Sequence, residues 1–329
     1  MKSSKLLLTV TLAVCIMSML FSACGNNLPA QETPSASEMV TPSAQETPSV
    51  SEPEEPSPVS VSPQVIPFTF TEENMPVIDG STANIPLISA VQSVLLGTPR
   101  NDNVTVSGTD NAYVKLIEGE VDILLVYAPA QSSLDHARAM GVELEMAPIG
   151  KDALVFLVNK NNPVKSLTPE QIVGIYSGEI TNWKDVGGRD AVIQAYQRQL
   201  VSGSQTMMNK LVMKSVPMTK AEPEYIIDTM GGLVEAIAAY DNAEDAIGYN
   251  VYYYVSRMKA DDNIRLLAVN GVEPTNESIA SGDYPFVNEF FAVIRADAPE
   301  GSPERILFDW IQSDEGQDLV ENEGYVSIG

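Results

Sequence analysis

VIQAYQRQLVSGSQ, Val192 to Gln205, carries an apolar run past an arginine and into a Ser-Gly-Ser turn. The pattern predicts a strand over Val192 to Arg198, the loop LVSGSQ, and a helix starting near Thr206. Two other segments repeat the layout. MPVID, Met75 to Asp79, reads as a strand entering Gly80-Ser81-Thr82 and then a helix with the apolar stripe Ile85, Ile88, Val91 and Leu95. Ser107-Gly108-Thr109-Asp110 opens another helix, which leads through LIEGE into the strand VDILLV, Val121 to Val126. Strands alternating with helices predict an α/β fold rather than a helical bundle or a sandwich.

The repeated layout has a chemical use. The first turn of a helix leaves backbone N–H groups without intrahelical partners, and aligned peptide dipoles make that end partly positive. A tetrahedral oxyanion placed there collects those amides, together with hydroxyl donors from Ser81, Thr82, Thr109, Ser202 and Ser204. Gly80, Gly108 and Gly203 let the backbone come close. Ser and Thr are also the preferred N-caps, so any one of these turns taken alone reads as capping. Arg198 adds a guanidinium suited to forked bonding of a phosphate oxygen pair, at the end of a strand and four residues before Ser202. A surface salt bridge is the other reading of the same arginine.

The first residues address the chain. Lys2 and Lys5 precede the uncharged run LLLTVTLAVCIMSMLFSA, which ends at Cys24, the pattern of an export signal. The ending Phe21-Ser22-Ala23-Cys24 resembles the lipobox of bacterial lipoproteins, which predicts cleavage over 1–24, acylation of Cys24 and a lipid bilayer as partner. An uncleaved signal anchor is the alternative. From 25 to 67 the composition turns to Pro, Ser, Thr, Glu and Gln, with QETPSASE echoed as QETPSVSE. Such a stretch buries too little apolar surface to offset its chain entropy and is expected to be a disordered tether. The expected location is the extracytoplasmic face of the cell membrane.

The formal net charge of −25, from 44 acidic against 19 basic residues, excludes nucleic acid as a partner, because that needs a basic surface. It does not exclude an anion. Screening over about 8 to 10 Å lets local donors outweigh the distant field. His136, the single histidine, sits in the polar helical stretch SSLDHARAM, so neither metal nor catalysis is expected of it. Met207, Met208, Met213 and the tyrosines at 252–254 are expected to pack inward, as is Trp310. No nucleotide-binding glycine motif or zinc spacing occurs, and no cofactor is expected.

With IYSGEITNW at Ile175, YQRQLVSGSQTMMNKLVM at Tyr196, AIGYNVYYY at Ala246 and the ending SDEGQDLVENEGYV, the chain resembles the phosphate-binding proteins of Pst-type ABC transporters. That resemblance implies the two-lobed type II periplasmic-binding-protein fold, with a ligand cleft between lobes. It places phosphate on Arg198, Ser202, Gly203 and Ser204 from one side and on Ser81, Thr82 and Thr109 from the other. It also implies one lobe of 68–158 with 255–329, a second of 159–254, and hinge crossings near Asn159-Lys160 and Asn250-Val251. An ABC permease is the implied partner, and a monomer the implied state. Such proteins carry an Asp after the third strand that accepts phosphate's proton, and here Tyr127 holds that place. Tyr127 itself, Asp110 or Asp79 is then the candidate acceptor.

Two other classes remain open on sequence. A phosphoester hydrolase would use Ser202 or Ser204, but the chain offers one imidazole and no G-x-S-x-G elbow. A sensory or adhesive lipoprotein would keep the fold without serving a transporter.

Overall fold

The computed structural model describes residues 68–101, 103–239 and 243–328. The export signal, Cys24 and the whole of the expected tether lie outside them. Eleven strands follow in chain order: β1 Ile78–Gly80, β2 Ile123–Tyr127, β3 Leu144–Asn159, β4 Ser166–Leu167, β5 Gln194–Ala195, β6 Gln197–Arg198, β7 Ile226–Ile227, β8 Ala246–Val251, β9 Ile264–Leu266, β10 Ala268–Val269 and β11 Val287–Arg295. The α-helices are α1 Ile85–Leu96, α2 Thr109–Glu118, α3 Gln131–Met140, α4 Pro169–Ser177, α5 Gly203–Met207, α6 Met230–Ala238, α7 Asn276–Ser281, α8 Pro303–Ile311 and α9 Asp314–Asn322. No helix among the described residues is long and apolar enough to cross a membrane.

The main sheet runs β1-β2-β11-β3-β8-β5, with β9 beside the far end of β3. β1 pairs parallel with β2, and β11 lies antiparallel between β2 and β3. The sixteen-residue β3 joins the two lobes. Leu144 to Ala153 pair with β11, whereas Leu154 to Asn159 pair with β8 and β9. The exchange of partners at Ala153/Leu154 comes earlier than the crossing expected near Asn159-Lys160. A second departure concerns the segment after 255. β9 pairs with Leu157–Asn159 and β10 with β4, and Arg265 Nη1 donates to the Asn162 carbonyl at 2.7 Å. Residues 264–269 therefore run beside the stretch 157–167, mostly within the range expected for the second lobe, and Leu267 and Val269 are buried there.

β2 is buried on both faces, which is why VDILLV reads as a continuous apolar run. Alternate side chains take opposite sides. Ile123, Leu125 and Tyr127 join the core that holds Leu87, Ile88 and Val91 of α1. Leu124 and Val126 meet Ala112, Tyr113 and Leu116 of α2. Each such fully buried side chain contributes roughly 1.5–3 kcal/mol. Gly80 allows the tight passage from β1 to α1: a Cβ there would stand 2.0 Å from the Leu125 carbonyl oxygen. In the second lobe Phe156 is ringed by Tyr176, Tyr249 and Phe286, and Trp183 is buried with its Nε1 donating to the Asp245 carbonyl. Met207, Met208 and Met213 are core residues.

The decisive stretch differs in detail from its sequence pattern. Val192 to Arg198 is not one strand; β5 pairs with β8 and β6 with β7, and Tyr196 between them bonds Ile247. The helix begins at Gly203 rather than near Thr206, because Ser202 caps it by accepting from the Gln205 amide at 3.2 Å. It continues into wider turns over Met208–Met213.

Candidate functional site

On the first wall, Asp79 ties two loops together. Its Oδ1 accepts from the amides of Gly80 and Ser107, each at 2.7 Å, and Gly108 N donates to the Gly80 carbonyl. This clamp sets Ser81 beside the first residue of α2, with Ser81 Oγ 2.9 Å from Thr109 Oγ1. Ser81 Oγ also accepts from the Tyr127 amide at 3.2 Å, and either hydroxyl of the Ser81–Thr109 pair can donate to the other. One of the two protons is left for the cleft, which both residues border. The pair thus offers the cleft one polarised hydroxyl donor.

On the second wall, Arg198 is 6% exposed and is held by neutral acceptors. Nε donates to the Ile227 carbonyl and Nη2 to the Asp228 carbonyl, both at 2.9 Å, and Nη1 to Ser204 Oγ at 3.3 Å. No ion pair among the described residues involves Arg198, which removes the surface salt-bridge reading. Burial pulls its pKa below the ordinary arginine value, the mark of a desolvated cation without a carboxylate against it. The amides of Gly203 and Ser204 precede the first intrahelical bond of α5, from Thr206 to Ser202, and so add donors without intrahelical partners.

The walls meet. A Cβ on Gly203 would lie 2.5 Å from Thr109 Oγ1 and 3.3 Å from its Cβ, so only glycine fits against Thr109. Ser81, Thr82, Thr109, Arg198, Ser202, Gly203 and Ser204 all border one cavity of about 470 Å³. The structure therefore brings together every oxyanion-binding residue expected from sequence.

Each candidate proton acceptor is redirected. The Tyr127 ring is buried, and its hydroxyl donates to Asp152 Oδ2 at 2.6 Å, pointing its proton into the core. Burial, reinforced by Asp152, pushes the Tyr127 hydroxyl well above the usual phenol range. Asp110 turns toward α3, where it accepts from Ser133 Oγ, and it does not border the cavity. Asp79 is occupied by its loop clamp. The carboxylate that does border the cavity is Asp228, whose Oδ1 accepts from Gln199 Nε2.

Sequence reasoning missed a fourth turn of the same layout. Thr229-Met230-Gly231 borders the cavity at the start of α6, and Thr229 caps that helix by accepting from Gly232 at 3.0 Å. The apolar pair Ile226-Ile227 followed by Asp-Thr-Met-Gly was the available signal. Tyr254 also borders the cavity, although it was expected to pack inward; Tyr253 does so, stacked on Tyr325 with ring centres 3.6 Å apart. His136 lies 3.5 Å from Glu118, away from the serines of the cavity. Among the described residues no cluster of His, Cys, Asp and Glu has the geometry to hold a metal.

A profile of the PBP superfamily domain matches residues 71–315. The chain is 28% identical to the phosphate-binding protein PstS of Bacillus subtilis over 257 residues, covering 76% of this chain and 80% of that one. It is 27% identical to PstS of Borreliella burgdorferi, covering 78% and 91% of the two chains. A substrate-binding protein from Clostridium perfringens, solved with bound phosphate, superposes with a TM-score of 0.62 at 29% identity, covering 77% of this chain and 98% of that one.

Proposed function

We propose, because the chain belongs to the PBP superfamily, that it is an extracytoplasmic binding protein that captures inorganic phosphate between its lobes and delivers it to an ABC permease. The observation that carries this reading is the buried Arg198 guanidinium, clamped by two carbonyls, in no ion pair among the described residues and felt only at longer range by the Asp228 carboxylate. Burying a cation is costly unless an anion joins it. Phosphate arriving there takes the guanidinium fork, the Gly203 and Ser204 amides and the Ser202 hydroxyl from one wall, and Thr82 and Thr109 from the other.

Because the anion touches both walls, it binds the closed arrangement more tightly than an open one, and capture is lobe closure. The partner exchange within β3 at Ala153/Leu154 and the end of β8 at Val251 are the natural pivots. No step requires bond breaking, so the role is binding rather than catalysis. Acylated Cys24 holds the protein on the membrane, and the 25–67 tether lets the monomeric domain reach its permease.

Calorimetry on the full chain tests the reading. Saturable phosphate heat, displaced weakly or not at all by sulfate, is expected; sulfate or molybdate binding with no phosphate heat would end it.

A further inference from the structure

We infer that the cleft also takes phosphate monoesters of small alcohols or polyols, with the phosphoryl oxygens in the Arg198 cradle and the substituent along Met230 and Tyr254. This rests on the phosphate reading above and widens it to a class of ligand.

Size is the first argument. The walls already touch at Gly203 and Thr109, yet about 470 Å³ of cavity remains. At about 30 Å³ per liquid water, that space equals on the order of fifteen waters, of which a bare phosphate replaces two or three. The second argument is lining. Beyond the hydroxyls and Arg198, the cavity is bordered by Val106, Met230, Val251 and Tyr254, with Asn111 and Thr229 as polar neighbours. A surface that mixes apolar and hydrogen-bonding groups in similar measure suits a short carbon chain bearing hydroxyls. Asp228 can accept from such a hydroxyl.

Proton bookkeeping is the third. Inorganic phosphate at neutral pH keeps an O–H that needs an acceptor, whereas a monoester, with its second pKa near 6, presents three oxygens that only accept. Arg198 and the helix-start amides only donate. Tyr127, at the edge of the cradle, sends its hydroxyl to Asp152, and the Ser81–Thr109 pair uses one proton internally and leaves the other to donate. Asp228, the carboxylate bordering the cavity, is then left for a hydroxyl of the substituent, so a guest whose phosphoryl oxygens carry no proton matches that polarity.

The test is calorimetry on the full chain with inorganic phosphate, methyl phosphate and sn-glycerol 3-phosphate, each alone and in competition. Glycerol 3-phosphate is expected to displace inorganic phosphate and to bind within about tenfold of it, and Met230→Trp to weaken the ester about tenfold or more while moving inorganic phosphate less than about threefold. Should Met230→Trp fail to melt cooperatively, Gly231→Val fills the same side and is read identically. A parent chain that binds inorganic phosphate but neither ester overturns the inference and leaves the phosphate reading standing. Esters bound without inorganic phosphate sustain the inference and replace that reading. No heat with any of the three overturns both. Equal weakening of ester and phosphate by both cavity-filling variants, or no weakening by either, overturns the placement beside Met230.

Discussion

On the phosphate reading proposed above, the two walls of the cleft meet one guest by opposite means. The first is neutral and prearranged: Asp79 clamps two loops, Tyr127 N–H feeds Ser81, and Ser81 and Thr109 share one hydrogen bond, so one hydroxyl donor is left over before any ligand arrives. The second is charged and unsatisfied: Arg198 is buried among carbonyls with no carboxylate paired to it. The difference assigns separate tasks. The charged wall supplies most of the affinity, because a buried cation gains most from a counter-ion; the neutral wall governs fit and closure.

If that division holds, Arg198→Ala has the largest effect. Losing a desolvated charge partner costs about 3 kcal/mol or more, so phosphate affinity is expected to fall at least about 100-fold with the melting transition preserved. Arg198→Lys should recover little, since a single ammonium cannot keep both carbonyl contacts and the anion fork. Near-parental affinity in Arg198→Ala, measured by calorimetry, would transfer the main role to the other wall.

Gly203→Ala comes next, because it acts where the walls touch. Its methyl would overlap Thr109 Oγ1, and Thr109 is held in place by Ser81, so closure is obstructed. An affinity loss of roughly 10- to 100-fold is expected, in the range that overpacking costs of about 1–3 kcal/mol produce. A double-mutant cycle sharpens the assignment: Thr109→Ala should cost less in the Gly203→Ala background than in the parent. Strict additivity would mean that the two residues do not meet in the bound state.

Ser81→Ala probes the neutral wall alone and should do less. It leaves the buried Tyr127 amide without an acceptor and Thr109 without its support, which lowers stability by about 1–2 kcal/mol. Phosphate affinity is expected to fall only several-fold. A loss matching that of Arg198→Ala would erase the distinction between the walls.

The walls were not equally legible in the sequence. Arg198 and Ser-Gly-Ser announce anion chemistry by residue type, and the doubly buried β2 announces itself as an uninterrupted apolar run. The turn at Thr229-Met230-Gly231 was hidden because Thr before a helix reads as a cap and Met reads as core. The direction of the Tyr127 hydroxyl depends on Asp152, 25 residues away and on another strand, and no local pattern encodes it. The partner exchange within β3 was only faintly marked: Lys151-Asp152 interrupt the apolar residues just before ALVFLVN, Ala153 to Asn159, and a charged pair does not say which strand lies alongside.

Asp152 sits where the lobes join, and its substitution should affect binding least while altering stability most visibly with pH. Oδ1 accepts from the amides of Ala153 and Tyr253, at 2.7 and 3.1 Å, and Oδ2 accepts from Tyr127, so one carboxylate links β3 to the residues leaving β8. Complete burial pushes its pKa up to about 6 despite those donors. A carboxyl that holds its proton more tightly folded than unfolded adds stability that is full below about pH 4 and is lost as pH rises through 6. The loss is on the order of 3 kcal/mol. In Asp152→Asn the amide keeps the backbone acceptor and never ionises, so melting measured from pH 4 to 7 should lose most of that slope, while phosphate affinity at pH 7 moves less than about threefold. An unchanged pH profile would show that Asp152 does not titrate in that window, and a large affinity loss would make the joint, rather than either wall, the seat of recognition.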